Sequence, residues 1–353
     1  MQDTLQISVK TTTHSRIQEL DYHNIQFARQ YSDHMLLADY VGGEWKDVRI
    51  EPYGNINLSP ANPALHYGQS IFEGLKAYKH EDGQISVFRP HANHKRMNIS
   101  AERMVMPSIP EEIFIDGLRE LLKLDNQWVP DVEGTALYIR PFMFATDEFI
   151  GVRPSDNFMF MIITSPVGAY YAKPVKVRVE THYTRAVKGG TGFAKTAGNY
   201  AASLYPAKLA QKDGYDQLIW TDGQNHELIE ESGTMNIMFV IDDTLITAPT
   251  GDTILNGITR DSVLTLARDW GMNVEVRPIS VTELMDAIES GRLKEAFGAG
   301  TAATIAHIDT IAHEGVDHKL DPSGWEFSNK MLKALTDIRM GNAEDKFGWN
   351  YKI

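Results

Sequence analysis

Gly189-Gly190-Thr191-Gly192-Phe193-Ala194-Lys195-Thr196-Ala197-Gly198-Asn199-Tyr200 places one lysine inside a glycine-rich turn, with a tyrosine five residues beyond it. Phe193, Ala194 and Ala197 surround the amine with apolar groups. Desolvation disfavours an ammonium ion, and that is the condition a nucleophilic or Schiff-base lysine needs. A solvated loop lysine is the commoner occupant of such a turn. The rest of the chain has to choose between them.

The 353 residues suffice for two domains of ordinary size. An apolar content of 42% and a charged content of 23% are those of a water-soluble globular protein. The net charge of −13 argues against nucleic acid or an anionic membrane surface as a partner. Without cysteine there is no disulfide framework and no thiolate metal site, and no metal is expected. No apolar run approaches the roughly 18 residues that cross a bilayer, and the N-terminal stretch has no apolar signal segment. A cytoplasmic protein is the expectation.

Strands and helices interleave along the chain. Met35–Ala38 and Phe158–Ile163 have the length and apolarity of buried strands, and Val175, Val177 and Val179 alternate with charged residues. Met238–Ile241 and Thr244–Thr247 flank Asp242-Asp243 as a hairpin. Helical apolar stripes run over Ile113–Leu122 behind Pro110, over Val263–Trp270 before Gly271, and over Phe327–Ile338. The Gly168–Pro174 stretch reads as the domain junction.

Two enzyme chemistries compete for the lysine turn. Gly189–Thr196 is one substitution from a phosphate-binding P-loop, with Ala194 where the second glycine belongs, and Met238–Asp242 imitates the strand-then-Asp element of such enzymes. A P-loop leaves a buried strand directly, whereas Thr181–Arg185 is polar, and Asp242-Asp243 suits a turn. Pyridoxal 5'-phosphate instead needs a lysine, a partner for the pyridine nitrogen, a contact for the phenolic oxygen and a phosphate cup. Glu230-Glu231 follows a strand and a turn, Asn256-Gly257-Ile258-Thr259-Arg260 leads into a helix N-terminus, and Gly298–Ala303 is a second small-residue turn. Singly each is a cap or a turn; the ordered set points to the cofactor.

These segments resemble the branched-chain amino acid aminotransferases, of the fold-type IV group of pyridoxal phosphate enzymes. The resemblance runs from about Asp33 past Ile305. It rests on Leu65–Tyr78, on Phe88-Arg89-Pro90 through Arg96-Met97, on Tyr138-Ile139-Arg140-Pro141 and on Ala194-Lys195 through Tyr200. The Glu231 segment, Gly257–Arg260 and Gly300-Thr301-Ala302 complete it. It implies an α/β (α+β) protein with a smaller N-terminal α/β domain (1–170) and a larger C-terminal pseudo-barrel domain (171–353) carrying the lysine. It also implies a cofactor between the domains and a homodimer whose partner helps to close each site.

By position, Lys195 matches the Schiff-base and proton-shuttling lysine, Glu231 the carboxylate at the pyridine nitrogen, and Tyr200 the phenol at the ring oxygen. Arg96 matches the phosphate arginine, joined by Ile258, Thr259 and Thr301. Phe72, Tyr67, Tyr138 and Tyr170 match pocket aromatics, and Arg140 the group that takes the γ-carboxylate of glutamate where leucine puts an aliphatic chain. Thr301 and Ala302 match the α-carboxylate contacts. Lys76 reads as structural. The implied reaction exchanges amino groups between leucine, isoleucine or valine and 2-oxoglutarate. D-amino acid aminotransferases, aminodeoxychorismate lyases and R-selective amine transaminases would share Lys195 and Glu231, but Phe72-Glu73-Gly74 and Tyr138-Ile139-Arg140 favour the branched-chain type. A CxxC pair found in some animal members is missing after Ala302, where the chain reads Ala303-Thr304-Ile305-Ala306. Lys195, Glu231 and Arg96 together argue against a cofactor-binding regulator.

Overall fold

Strand Ala136–Ala145 shows how alternation builds the first half of the molecule, in a computed structural model that describes residues 6–22, 24–168 and 173–353. Successive side chains of a strand point to opposite faces. Leu137, Ile139, Met143 and Ala145 join one buried cluster with Phe114, Leu118, Leu121 and Leu122. Phe142 and Phe144 turn the other way, toward Met35, Leu37 and Met161. Tyr138 and Arg140 share the parity of Phe142, so they leave the helix-covered core for the second face. That parity is what makes them available to a ligand.

The strand lies inside a nine-stranded sheet. Its order is Ser8–Val9, Glu44–Pro52, His34–Val41, Phe158–Val167, Ala136–Ala145, Leu75–Lys79, Ile85–Phe88 and Asn350–Lys352, with Ser70–Phe72 paired beside Ala136–Ala145. The second sheet runs Ile229–Ser232, Gln217–Thr221, Val175–Val179, Thr304–His313, Leu293–Gly300 and Met235–Ile241, and Met235–Ile241 pairs back onto Ile229–Ser232. Six strands thereby close a barrel-like ring, filled by Val177, Ile219, Phe239, Ile308 and Ile311. Thr244–Thr247 and Asn273–Val276 extend it outward. The expected α/β architecture with a pseudo-barrel is present, and the expected hairpin turn carries Asp242 at φ +51°.

The chain divides into two compact units. The first is Met1–Tyr170 with Ala194–Ala197 and Asp337–Ile353, and the second is Tyr171–Phe193 with Gly198–Thr336. The sequence reading puts a single boundary after residue 170, a smaller first domain and Lys195 in the second. Instead, the four residues around Lys195 and the C-terminal tail join the first unit and make it the larger. Hydrogen bonding is the reason. Phe72 N–H donates to the Lys195 carbonyl at 3.0 Å and Thr196 bridges to Ile71, while Asn350–Lys352 pairs antiparallel with Ile85–Phe88. Of the expected junction, residues 169–172 lie outside the described residues, and with them Tyr170.

Candidate active site

In the first unit Lys195 is anchored by its backbone. Its N–H donates to Ser100 Oγ at 2.9 Å, and the neighbouring Thr196 hydroxyl donates to the Ser70 carbonyl at 2.8 Å. Its Nζ lies 4.7 Å from the centre of the Phe72 ring. The same ring carries the Arg140 guanidinium, also at 4.7 Å, and Arg140 lies 5.3 Å from the Tyr138 ring. Arg140 Nη2 donates to Tyr138 Oη at 2.9 Å, while its Nε is buried with no hydrogen-bond partner among the described residues. The Phe27 ring lies 5.3 Å from that of Tyr138, tilted against it. Gly74 must be glycine here, because a Cβ would overlap the Tyr138 hydroxyl.

Arg96, on helix Pro90–Arg103, is 8% exposed. Its Nε and Nη2 donate to the two oxygens of Glu73 at 2.7 and 2.8 Å, a bidentate pair. Asn93 donates to the same carboxylate at 2.7 Å. Burial would push the Glu73 carboxyl up, but Arg96, Lys195 and Asn93 outweigh it and hold the group below its usual range. Lys76 stands opposite Tyr138 in the strand register and is 9% exposed. Burial, reinforced by the charge of Arg339, lowers its pKa to about 7. Tyr67 ends the short helix Pro63–Tyr67, is 43% exposed, and meets the His66 ring rather than the Phe72 group.

In the second unit Glu231 is buried on strand Ile229–Ser232. Its Oε1 accepts from the Leu255 N–H at 2.8 Å and from Asn236 Nδ2 at 3.3 Å, and its Oε2 lies 3.4 Å from Arg185 Nε. Asn236 also donates to the Leu255 carbonyl at 2.9 Å, and a Cβ on Gly257 would overlap its side chain. Gly257 therefore stands close to Glu231 and begins helix Ile258–Asp269, so Ile258 and Thr259 are its first turn. First-turn amides have no partner within their own helix and are suited to an anion. Thr301 and Ala302 form the turn between strands Leu293–Gly300 and Thr304–His313, where Gly300 pairs with Thr304. Tyr200 lies on helix Ala197–Lys212, whose start is pinned by Asn199 Nδ2 donating to the Thr191 carbonyl at 2.8 Å.

Within the opening stretch, Gly192 serves packing. A Cβ on Gly192 would lie 2.7 Å from the Asp252 carbonyl oxygen and from Thr253 Cα. Strand Val175–Val179 ends well before the turn, so no buried strand feeds it and the P-loop reading falls. The sequence reading missed two residues. Glu73 sits in a quoted motif but had no assigned role, because strand alternation does not show that one buried carboxylate reaches Arg96. Arg185 counted only as part of a polar segment; its sole local signal was a cation upstream of the lysine turn. Among the described residues no cluster of His, Asp and Glu could hold a metal, and no helix is long and apolar enough to cross a membrane.

The sequence matches the family described as Amino-transferase class IV over residues 70–311. It is 45% identical to a probable branched-chain-amino-acid aminotransferase of Staphylococcus epidermidis over 341 residues, 94% of each chain. It is 44% identical to branched-chain-amino-acid aminotransferase 2 of Bacillus subtilis over 94% of this chain and 93% of that one. Among solved structures, the Escherichia coli branched-chain amino acid aminotransferase is similar with a TM-score of 0.72 and 27% identity, covering 90% of this chain and 98% of that chain. The Thermoproteus uzoniensis branched-chain aminotransferase with norvaline is similar with a TM-score of 0.74 and 26% identity, over 90% and 99%. The chain therefore belongs to the class IV aminotransferases, in the branched-chain-amino-acid aminotransferase family.

Proposed function

We propose that the enzyme exchanges amino groups between leucine, isoleucine or valine and 2-oxoglutarate, with pyridoxal 5'-phosphate bound covalently to Lys195 Nζ. The observation that carries this reading is the Phe72 face, on which a lysine amine and a guanidinium with a buried unpartnered Nε lie against one aromatic ring. The residues fit the cofactor: a buried carboxylate at Glu231, a buried cation at Arg96 and a helix N-terminus at Ile258-Thr259 supply the donors and acceptors it needs. When bound, the cofactor supplies an electron sink conjugated with the α-carbon of the amino acid. Lys195 Nζ accepts and returns the α-proton. Glu231, steadied by Asn236, Leu255 and Arg185, holds a proton at the pyridine nitrogen. Tyr200 donates to the ring oxygen. Arg96, Ile258, Thr259 and Thr301 bind the phosphate.

The substrate side needs one pocket for two chemistries. Arg140 is tied to Tyr138 Oη and stacked on two aromatic rings, so an aliphatic side chain does not leave it as an isolated buried charge. Its unpartnered Nε remains to meet a γ-carboxylate. Phe72 and Tyr138 provide contact for an aliphatic side chain, the family resemblance adds Tyr170, and Thr301 and Ala302 hold the α-carboxylate. Tyr67, half exposed in one chain, acts from one copy of a homodimer on the other. The cytoplasm is the proposed location.

The test is reconstitution. Added pyridoxal phosphate gives a visible band that borohydride traps on Lys195, and Lys195→Ala abolishes both band and turnover. L-Glutamate with 2-ketoisocaproate is a rapid pair. Absence of the band in the wild type, or preference for D-donors, overturns the reading.

A further inference from the structure

We propose that Glu73 is a positioning residue that aims Arg96 and holds the charge of Lys195, so that one buried carboxylate couples the phosphate arginine to the reactive amine. The inference rests on the functional reading above and deepens it. Glu73 is 0% exposed, on the turn between strands Ser70–Phe72 and Leu75–Lys79. A carboxylate with no access to water is costly unless donors surround it. Here Arg96 Nε and Nη2, Asn93 Nδ2 and the Gly74 N–H at 3.2 Å all donate to it, and the Lys195 ammonium acts on it through space.

The geometry of the arginine gives the coupling its direction. A guanidinium has five N–H donors in one plane, and Glu73 takes two of them along one edge. That edge-on grip fixes the plane, and so fixes where the other three donors point. Glu73 also follows Phe72, whose ring lies under the Lys195 amine and whose N–H donates to the Lys195 carbonyl. Anything that shifts this turn moves the aromatic floor, the arginine and the lysine together. Three charges are involved, two positive and one negative. A phosphate dianion therefore meets a net attraction without facing two unbalanced buried cations.

Glu73→Gln keeps the shape and removes the charge. Four quantities are measured on the whole chain: affinity for pyridoxal phosphate, affinity for pyridoxal without phosphate, the pH midpoint of the visible band, and protection against thermal unfolding by inorganic phosphate. Expected for Glu73→Gln are a pyridoxal phosphate affinity lower by roughly tenfold or more, with pyridoxal changed by less than about threefold. The band midpoint moves down, because a negative charge that interacts with the amine is gone. The inorganic phosphate needed for equal protection rises by roughly tenfold. In an Arg96→Met background the further change to Gln leaves the phosphate-to-pyridoxal ratio unmoved but still shifts the midpoint.

A Glu73→Gln protein that melts earlier but keeps the wild-type ratio, midpoint and phosphate protection has a merely structural Glu73, and the proposal falls. It also falls if the ratio still changes in the Arg96→Met background. Should Glu73→Gln not fold, Glu73→Asp keeps the charge on a shorter arm. It is expected to hold the midpoint and lose the ratio, and an unaltered ratio sinks the proposal. A wild type with no visible band fails the reading of Lys195 instead, while the inorganic phosphate comparison still decides the role of Glu73 at Arg96.

Discussion

Gly74→Ala should cripple recognition of 2-oxoglutarate through a single atom of contact. A Cβ built at Gly74 overlaps the Tyr138 hydroxyl and lies 3.1 Å from Cζ and 3.5 Å from Cε2 of the same ring. Tyr138 is 8% exposed and has Phe27 against it at 5.3 Å, so the ring has little room to retreat. Overpacking of this kind costs ~1–3 kcal/mol of stability. Any movement that relieves it pulls Oη away from Arg140 Nη2, now at 2.9 Å. Loss of that charge-assisted bond is worth ~1.5–3 kcal/mol, about a tenfold or greater drop in kcat/KM for the substrate that uses Arg140. Leucine should lose less. Tyr138→Phe deletes the clashing oxygen, leaving Cζ at 3.1 Å as the nearest neighbour, a contact that small shifts absorb. The double variant Gly74→Ala/Tyr138→Phe should thus recover at least ~1 kcal/mol of the stability that the single alanine loses. Thermal melts of the four proteins, with steady-state rates for 2-oxoglutarate and 2-ketoisocaproate, decide the matter. Strict additivity of the two substitutions would refute the reasoning.

Three other outcomes are expected. Arg140→Met should raise KM for 2-oxoglutarate by roughly tenfold or more while altering that for 2-ketoisocaproate by under about threefold; equal losses would mean the guanidinium only supports the pocket wall. Lys76 is depressed from 10.5 to about 7 in the folded chain, so the unfolded chain binds the extra proton between those values. The folded state is penalised fully below pH 7, and the penalty fades as pH rises from 7 to 10.5. Denaturant titrations should find Lys76→Met more stable than wild type by a margin that narrows over that range, and parallel curves would contradict it. Asp222 is the opposite case. Burial raises its pKa, but N–H groups of Leu228, Asn225, Glu227 and Gln224 bring it down to about 2. Its stabilisation is complete above pH 4 and disappears as pH falls toward 2, so the advantage of wild type over Asp222→Ala should vanish there.

Much of this was legible in the residues. The strand at Val175–Val179 spans the residues that alternation marked, and the helix Ile258–Asp269 carries the Val263 stripe and ends before Gly271 at φ +74°. Alternation and capping are local, and local signals survive in a single sequence. Lys195 was singled out by local signals too, since it sits in a glycine-rich turn among small and apolar neighbours, but its proposed role came from the resemblance. What stayed hidden were long-range pairings. Nothing near residue 195 announces that its carbonyl accepts from Phe72, or that Glu73 closes on Arg96 23 residues onward. Arg140 and Tyr138 were placed by resemblance, and their shared face follows from the parity of one strand only once Leu137 and Ile139 are known to be core.

The C-terminal strand has a consequence for synthesis. Gln84 donates to the carbonyl of Ile353, 269 residues later, and Asn350–Lys352 completes the edge beside Ile85–Phe88. A nascent chain that has left the ribosome as far as residue 170 still lacks both that edge and the tetrapeptide of Lys195. No single cut divides the polypeptide into two self-sufficient halves. The first unit to emerge is finished only after the second, and its edge at Ile85–Phe88 waits until residues 350–352 have been made. Chaperone demand, rather than final stability, is where a weakened tail should first be felt.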